Sequence, residues 1–225
     1  MSLGEFTAHA AAGTFDFETG LRLVRQRSQF MQEACEQTEG GMAAMIGGEE
    51  SAVRALAAAA DVDVANFNSP GQIVLSGERS KIAMAVSLAK DHGVRKAVEL
   101  TVAGAFHSRL MDSAYQKLKG VLEETPIREP FVPVISNVDA IPTVKPDDIR
   151  RALADQVTGS VLWTATMEYL LDKMECDLFL EFGPGGILSG LMQRTRKGTQ
   201  ILSISNAADV ENAMSMEVFV LLASW

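Results

Sequence analysis

The sequence predicts an α/β protein whose mostly parallel sheet core is interrupted by an inserted subdomain of ferredoxin-like βαββαβ order. Three observations carry that expectation. Apolar residues recur at helical spacing in some stretches and alternate with polar ones in others, so helices and strands both occur. Between residues 42 and 102 the elements run β-α-β-β-α-β, with turn signals of their own. Beyond residue 103 strands are separated by helices, as crossover-connected parallel strands require. The expected division is a large core made of 1–40 and 103–225, with 41–102 as the smaller inserted unit.

Taken in order, residues 7–37 read as one helix, with Leu21, Val24, Phe30 and Met31 at near-helical spacing, and Gly40-Gly41 ends the pattern. Residues 42–46 are a short apolar run, and the alanine-rich stretch 49–60 is helical. Strands at 62–67 and 72–76 are joined by Asn68-Ser69-Pro70-Gly71, a strong turn signal. A helix over 80–92 and an alternating strand over 96–102 complete the insert. A helix over 108–124, a strand over 132–136 and helices over 147–157 and 163–174 follow. The strand 177–182 runs into Gly183-Pro184-Gly185-Gly186, which opens a helix near Ile187. A strand over 200–204 and a last helix close the chain.

The 225 residues, 47% hydrophobic and 22% charged, suit a globular protein with a sizeable core. A net charge of -9 sets the chain against nucleic acid as a partner. Docking of an acidic protein needs a local basic patch, and Arg194, Arg196 and Lys197 form one short cluster that also reads as a solvated helix end. Cys35 and Cys176 stand outside any CxxC or Cys/His pattern, so reduced thiols, no metal site and a cytoplasmic location are expected. No signal-peptide pattern is visible, and the apolar run at 218–223 is too short to span a bilayer. No membrane association is expected.

Three residues bear chemistry. Ser2, in Ser2-Leu3-Gly4-Glu5, is either a helix N-cap or the nucleophile of a G-x-S-x-G turn, in which Met1 takes the place of the first x and the first glycine is absent. His107, in Gly104-Ala105-Phe106-His107-Ser108, is either a helix-start histidine with a satisfied ring or a general base. Arg27 is either a surface-paired helix arginine or a clamp for a carboxylate through two parallel N–H bonds. His9 and His92 sit in ordinary helical contexts and receive no role.

Taken as a series, SLGEFTA at 2–8, RQRSQFMQEA at 25–34, NFNSPGQ at 66–72, GAFHS at 104–108, Gln156 ahead of Trp163, and EFGPGGIL at 181–188 stand in one order. That series resembles the malonyl-CoA:acyl carrier protein transacylases of bacterial fatty-acid synthesis, over nearly the whole chain to about residue 213. Residues 214–225 fit the family pattern poorly. The resemblance implies a hydrolase-like parallel-sheet core carrying the ferredoxin-like insert. It implies Ser2 as the acyl-accepting nucleophile, His107 as the base that activates it and later protonates the leaving thiolate, and Gln156 as the residue whose main-chain carbonyl holds the histidine ring. It further implies Arg27 as partner of the malonyl carboxylate, the Leu3 amide as an oxyanion donor, and Phe106 as a filter for unbranched malonyl. Met31 and Asn68 are placed along the pocket. The implied reaction is ping-pong transfer from malonyl-CoA to the phosphopantetheine thiol of acyl carrier protein, with no cofactor and no metal, by a monomer when full length.

The family also carries a segment ahead of its serine, with an F-P-G-Q-G-S-Q motif and the strand that feeds the nucleophile turn. This chain begins at the serine motif, so the expectation is an N-terminally truncated, poorly active and marginally soluble form. One lost oxyanion donor alone costs about 2.7–4 kcal/mol. Two alternatives stand beside the transferase. One is a thioesterase or hydrolase using the same serine and histidine, against which Arg27 argues. The other is an inactive, carrier-protein-binding fragment.

Overall fold

A computed structural model describes residues 1–215 of the chain; the apolar run at 218–223 and most of the atypical end lie outside the described residues. The fold is mixed α/β, as expected. The described residues form two compact units, residues 1–166 and 167–215. That cut falls elsewhere than the expected boundaries and leaves 41–102 in the same unit as 1–40.

The first unit opens with α1, Ser2–Ala11, and α2, Phe17–Gln37. The single helix expected over 7–37 is therefore two. Gly13 takes a left-handed φ of 78° between them, and the Asp16 side chain caps α2 by accepting from the Thr19 amide at 2.8 Å. Along α2, Leu23, Arg27, Met31 and Ala34 recur every three or four residues and are buried, so the same face that builds the core also carries the arginine inward. That core gathers Phe6, Leu23, Met31, Met111, Leu118, Leu122, Ile149 and Leu153, from α1, α2, the 3₁₀ turn Arg109–Met111, α5 (Asp112–Glu124) and α6 (Pro146–Asp155).

Strands β1 (Gly40–Ile46), β2 (Asp63–Ser69), β3 (Gln72–Glu78) and β4 (Lys96–Leu100), with α3 (Glu50–Ala60) and α4 (Arg79–Leu88), make one sheet of order β2-β3-β1-β4. Its pairs are antiparallel, which is the ferredoxin-like arrangement. Strand alternation sends Ala43, Met45, Ile73 and Leu75 to the face shared with Leu56 and Ile82, and Met42, Ala44 and Val74 to a second buried face that Phe106 packs against. The start of β1 lies against the loop that carries His107: a Cβ on Gly40 would stand 2.5 Å from the Ala105 main-chain nitrogen. The edge strand β2 is extended by the segment after α6. The Phe67 amide donates to the Val161 carbonyl at 2.9 Å and the Val161 amide donates to Ala65 at 2.8 Å. This pairing explains why the small sheet belongs to the first unit.

The strand expected over 132–136 is reduced to β5, Val134–Ile135, which pairs antiparallel with β6, Pro142–Thr143. The chain turns back because the Ser136 hydroxyl accepts from the Val138 and Asp139 amides and Ala140 takes a left-handed φ of 54°. That turn places Asn137 inside the unit, 3% exposed.

In the second unit β7, Leu178–Phe182, and β8, Gln200–Ile204, form the parallel pair of the described residues. They flank α8, Ile187–Thr195, and α9, Ala207–Met214, follows. The expected Gly183–Gly186 turn is present, and Glu181 accepts from the Leu188 and Ser189 amides at its far side, each at 2.9 Å. Helix α7, Trp163–Asp172, carries the chain from one unit into the other. Among the described residues no helix is long and apolar enough to cross a membrane.

Candidate functional site

Four of the residues singled out in the sequence converge in the first unit. Ser2 begins α1, and Arg27 reaches it from α2: Arg27 Nη2 donates to Ser2 Oγ at 2.5 Å. Gln156, the last residue of the α6 turn and fully buried, joins both. Its Oε1 accepts from Ser2 Oγ at 3.0 Å and from Arg27 Nη2 at 3.0 Å. Its main-chain carbonyl lies 2.7 Å from His107 Nδ1. A carbonyl only accepts, so Nδ1 carries the proton and Nε2 is left with the lone pair of a base.

The histidine is held in an unusual backbone. His107 has φ 57°, the left-handed region that a side chain ordinarily avoids. The neighbouring Ser108 hydroxyl, itself buried, fixes the loop by donating to the Ala105 carbonyl at 2.6 Å and accepting from the Leu110 amide. Ser2, by contrast, lies in the first turn of a helix with no left-handed φ. Ser2 Oγ is engaged by Arg27 and Gln156, and no hydrogen bond joins it to His107 in this arrangement.

Burial sets the charges. Arg27 is 7% exposed. Desolvation lowers its pKa to about 10, against the opposing pull of Glu5, so it stays protonated at neutral pH. It lies 5.6 Å over the Phe6 ring, and among the described residues it makes no ion pair. Its buried Nε has no hydrogen-bond partner. A desolvated guanidinium held by uncharged oxygens is suited to an incoming carboxylate. Desolvation first, then the Arg27 charge, lowers His107 to about 4, so its ring is neutral at pH 7.

The remaining expected residues lie around this group without a hydrogen bond to it. Met31 is one turn past Arg27 in the core. Phe106 packs between the helical core and the second face of the sheet. Leu3 is half-exposed, with its amide in the first helical turn, where no intrahelical acceptor exists. Asn68 is buried near the end of β2, and its Oδ1 has no partner.

Two residues joined to the site carry no sequence signal of their own. Glu5 is 3% exposed, and its Oε2 accepts from Gln156 Nε2 at 2.5 Å. Burial raises its pKa to about 7, opposed by the Gln156 and Asn137 hydrogen bonds and by Arg27. Asn137 Oδ1 lies 3.4 Å from the same Gln156 nitrogen. The glutamate stands in the serine motif, but one sequence does not distinguish it from a solvated first-turn acid. Among the described residues no cluster of His, Cys, Asp and Glu is placed to hold a metal ion.

These charges make stability pH-dependent, with opposing signs. His107, and the fully buried His9, which burial also lowers to about 4, contribute stability present above their ordinary 6.5 and lost as pH falls through about 4. Glu5 contributes stability present below its ordinary 4.5 and lost as pH rises through about 7. Two groups oppose one, so acidification between these limits should destabilise the fold by about 3 kcal/mol net. Urea unfolding midpoints at pH 7 and pH 4.5 check this; an unchanged or higher midpoint at pH 4.5 contradicts it.

A family model described as "Acyl transferase domain" matches residues 1–215. The malonyl CoA-acyl carrier protein transacylase of Bacillus subtilis (strain 168) is 37% identical over 218 residues, which are 95% of this chain and 68% of that protein. The crystal structure of a malonyl CoA-acyl carrier protein transacylase from Clostridium perfringens superposes with a TM-score of 0.92 at 33% identity, covering 100% of this chain and 72% of that one. A malonyl-transacylase solved in complex with a type II PKS acyl-carrier protein matches with a TM-score of 0.88 at 35% identity, over 95% of this chain and 70% of that one.

Proposed function

The chain belongs to the acyl transferase domain family, and from that membership we propose how its residues move a malonyl group from malonyl-CoA to acyl carrier protein. It is an acyltransferase of the malonyl-CoA:acyl carrier protein type, serving fatty-acid or polyketide synthesis. The observation that supports the residue assignment is the single buried network through which Gln156 joins the Ser2 hydroxyl, the Arg27 guanidinium and the His107 ring.

Substrate binding begins at Arg27. Its Nη2 now donates to Ser2 Oγ, which occupies a lone pair the hydroxyl needs for attack. A malonyl carboxylate draws the guanidinium into a charge-assisted pair and frees the hydroxyl. A turn about the serine side-chain torsion then brings Oγ to His107 Nε2. His107 takes the hydroxyl proton as Oγ attacks the thioester carbonyl, and the first-turn amides of α1, Leu3 among them, receive the oxyanion. The C–S bond breaks, the CoA thiolate takes the proton from His107, and malonyl remains as an ester on Ser2. In the second half His107 deprotonates the phosphopantetheine thiol. The sulfur attacks the ester, and Ser2 Oγ leaves with the proton from His107. The chemistry calls for no cofactor. Phe106 beside the base favours an unbranched acyl group, and Met31 and Asn68 complete the pocket wall. On this reading the partners are malonyl-CoA and acyl carrier protein, and the protein acts in the cytoplasm as a monomer.

Intact-mass measurement after incubation with malonyl-CoA tests the reading. A malonyl adduct is expected on the wild type and absent from Ser2→Ala, and holo acyl carrier protein should discharge it. An adduct that persists in Ser2→Ala, or one that water removes as fast as carrier protein does, contradicts it.

A further inference from the structure

We propose that Glu5 is a positioning residue of the transfer reaction, which fixes the side-chain amide of Gln156 so that its oxygen addresses the Ser2 hydroxyl and Arg27 and its nitrogen is turned from both groups; this rests on the reading above. Gln156 touches all three of the groups assigned to the chemistry, two through its side chain and one through its main chain. The amide therefore has a right and a wrong way round. Around Nε2 stand three acceptors: the Ser2 carbonyl at 2.9 Å, Glu5 Oε2 at 2.5 Å and Asn137 Oδ1 at 3.4 Å. Around Oε1 stand two donors, Ser2 Oγ and Arg27 Nη2. Turned over, the amide would set its oxygen against a carboxylate and a carbonyl, and its NH₂ group against a guanidinium.

Of the three acceptors only Glu5 can ionise, so above its raised pKa of about 7 its hydrogen bond is the charge-assisted one. It stands three residues after Ser2 on the same helical face, and the helix that begins at the serine thereby also sets the amide that holds it. The Gln156 side chain is fully buried, so water cannot replace Glu5 as acceptor. The groups facing Glu5 are Ser2 on α1, Arg27 on α2, Gln156 after α6, and Asn137 and Asp139 in the turn after β5. Arg27 and the Asn137 hydrogen bond favour its carboxylate, while Asp139 and burial oppose it. Protonation leaves an uncharged acceptor, and the preference is weakened, since the Ser2 carbonyl and the Arg27 guanidinium still favour the same orientation.

The test uses the full chain as wild type, Glu5→Gln and Glu5→Ala, with two readouts. The first is solvent exchange of the Gln156 side-chain amide in ¹⁵N-glutamine-labelled protein. The second is the ratio of malonyl to acetyl labelling of Ser2. In Glu5→Ala the amide should exchange about tenfold faster at pH 8, and the malonyl preference should fall about tenfold, since the guanidinium and the serine lose a fixed acceptor. In Glu5→Gln, where the substituted amide oxygen still accepts but carries no charge, protection should stay at the level of the wild type with Glu5 protonated, at every pH. The rise of protection and of malonyl labelling through neutral pH, present in the wild type, should be lost. A purely structural role leaves the malonyl-to-acetyl ratio and the pH profile unmoved in folded variants. That result overturns the proposal, and so does unchanged protection in Glu5→Ala. If Glu5→Ala does not fold, the pH dependence in Glu5→Gln decides alone, and its retention is fatal. A wild type that takes no malonyl label removes the functional reading, while the exchange readout still decides whether Glu5 sets the amide.

Discussion

His107→Ala is expected to slow malonylation of Ser2 by about 10²–10⁴, the usual contribution of a positioned general base. The Gln156 carbonyl, 2.7 Å from Nδ1, fixes the tautomer in which Nε2 is free to accept, and no carboxylate is needed behind the ring to do so. Desolvation and Arg27 lower the imidazole to about 4, so the unprotonated base is present across the neutral range. The wild-type acylation rate should therefore show no loss attributable to His107 as pH falls from 8 to 6. Single-turnover labelling, quenched and read by mass, measures both. Unchanged labelling in His107→Ala removes the histidine as base.

Arg27→Ala is expected to lower malonyl transfer by about 10- to 100-fold, the worth of a charge-assisted bidentate pair of ~1.5–3 kcal/mol. Acetyl transfer should fall far less. The guanidinium is buried beside Phe6 with uncharged partners, so its charge is satisfied when a carboxylate arrives. The substitution also frees the Ser2 hydroxyl from the donor that now holds it, which limits the loss of acetyl transfer. Competition between malonyl-CoA and acetyl-CoA for one enzyme sample measures the ratio directly. Equal losses for the two substrates contradict the clamp.

Much of this was legible because turn chemistry and periodicity are local. Asn68-Ser69-Pro70-Gly71 and the alternation on either side of it do give the β2–β3 hairpin, and Gly183–Gly186 does open α8. Ser2, Arg27 and His107 were each ambiguous alone, and Gln156 entered only with the family resemblance; the order of the motifs named them, and the structure brings all four together. What escaped was set by tertiary context. A break between α1 and α2 depends on one left-handed glycine and one capping aspartate, against an otherwise helical pattern. The short β5–β6 hairpin follows from a serine side chain turning the main chain back, where apolar residues alone suggested a longer strand. Glu5 and Asn137 matter because they are buried around one amide, and burial of a single polar residue leaves no mark on spacing.

The backbone at His107 has a practical corollary for chemical complementation. A φ of 57° is glycine's territory, so removing the side chain altogether relieves a conformation that alanine would still have to bear. His107→Gly is accordingly the better-folded null background, with a ring-sized void beside the Gln156 carbonyl. Free imidazole added to that variant has a hydrogen-bond acceptor waiting for it, and its pH dependence would be that of the small molecule in solution rather than that of a buried residue.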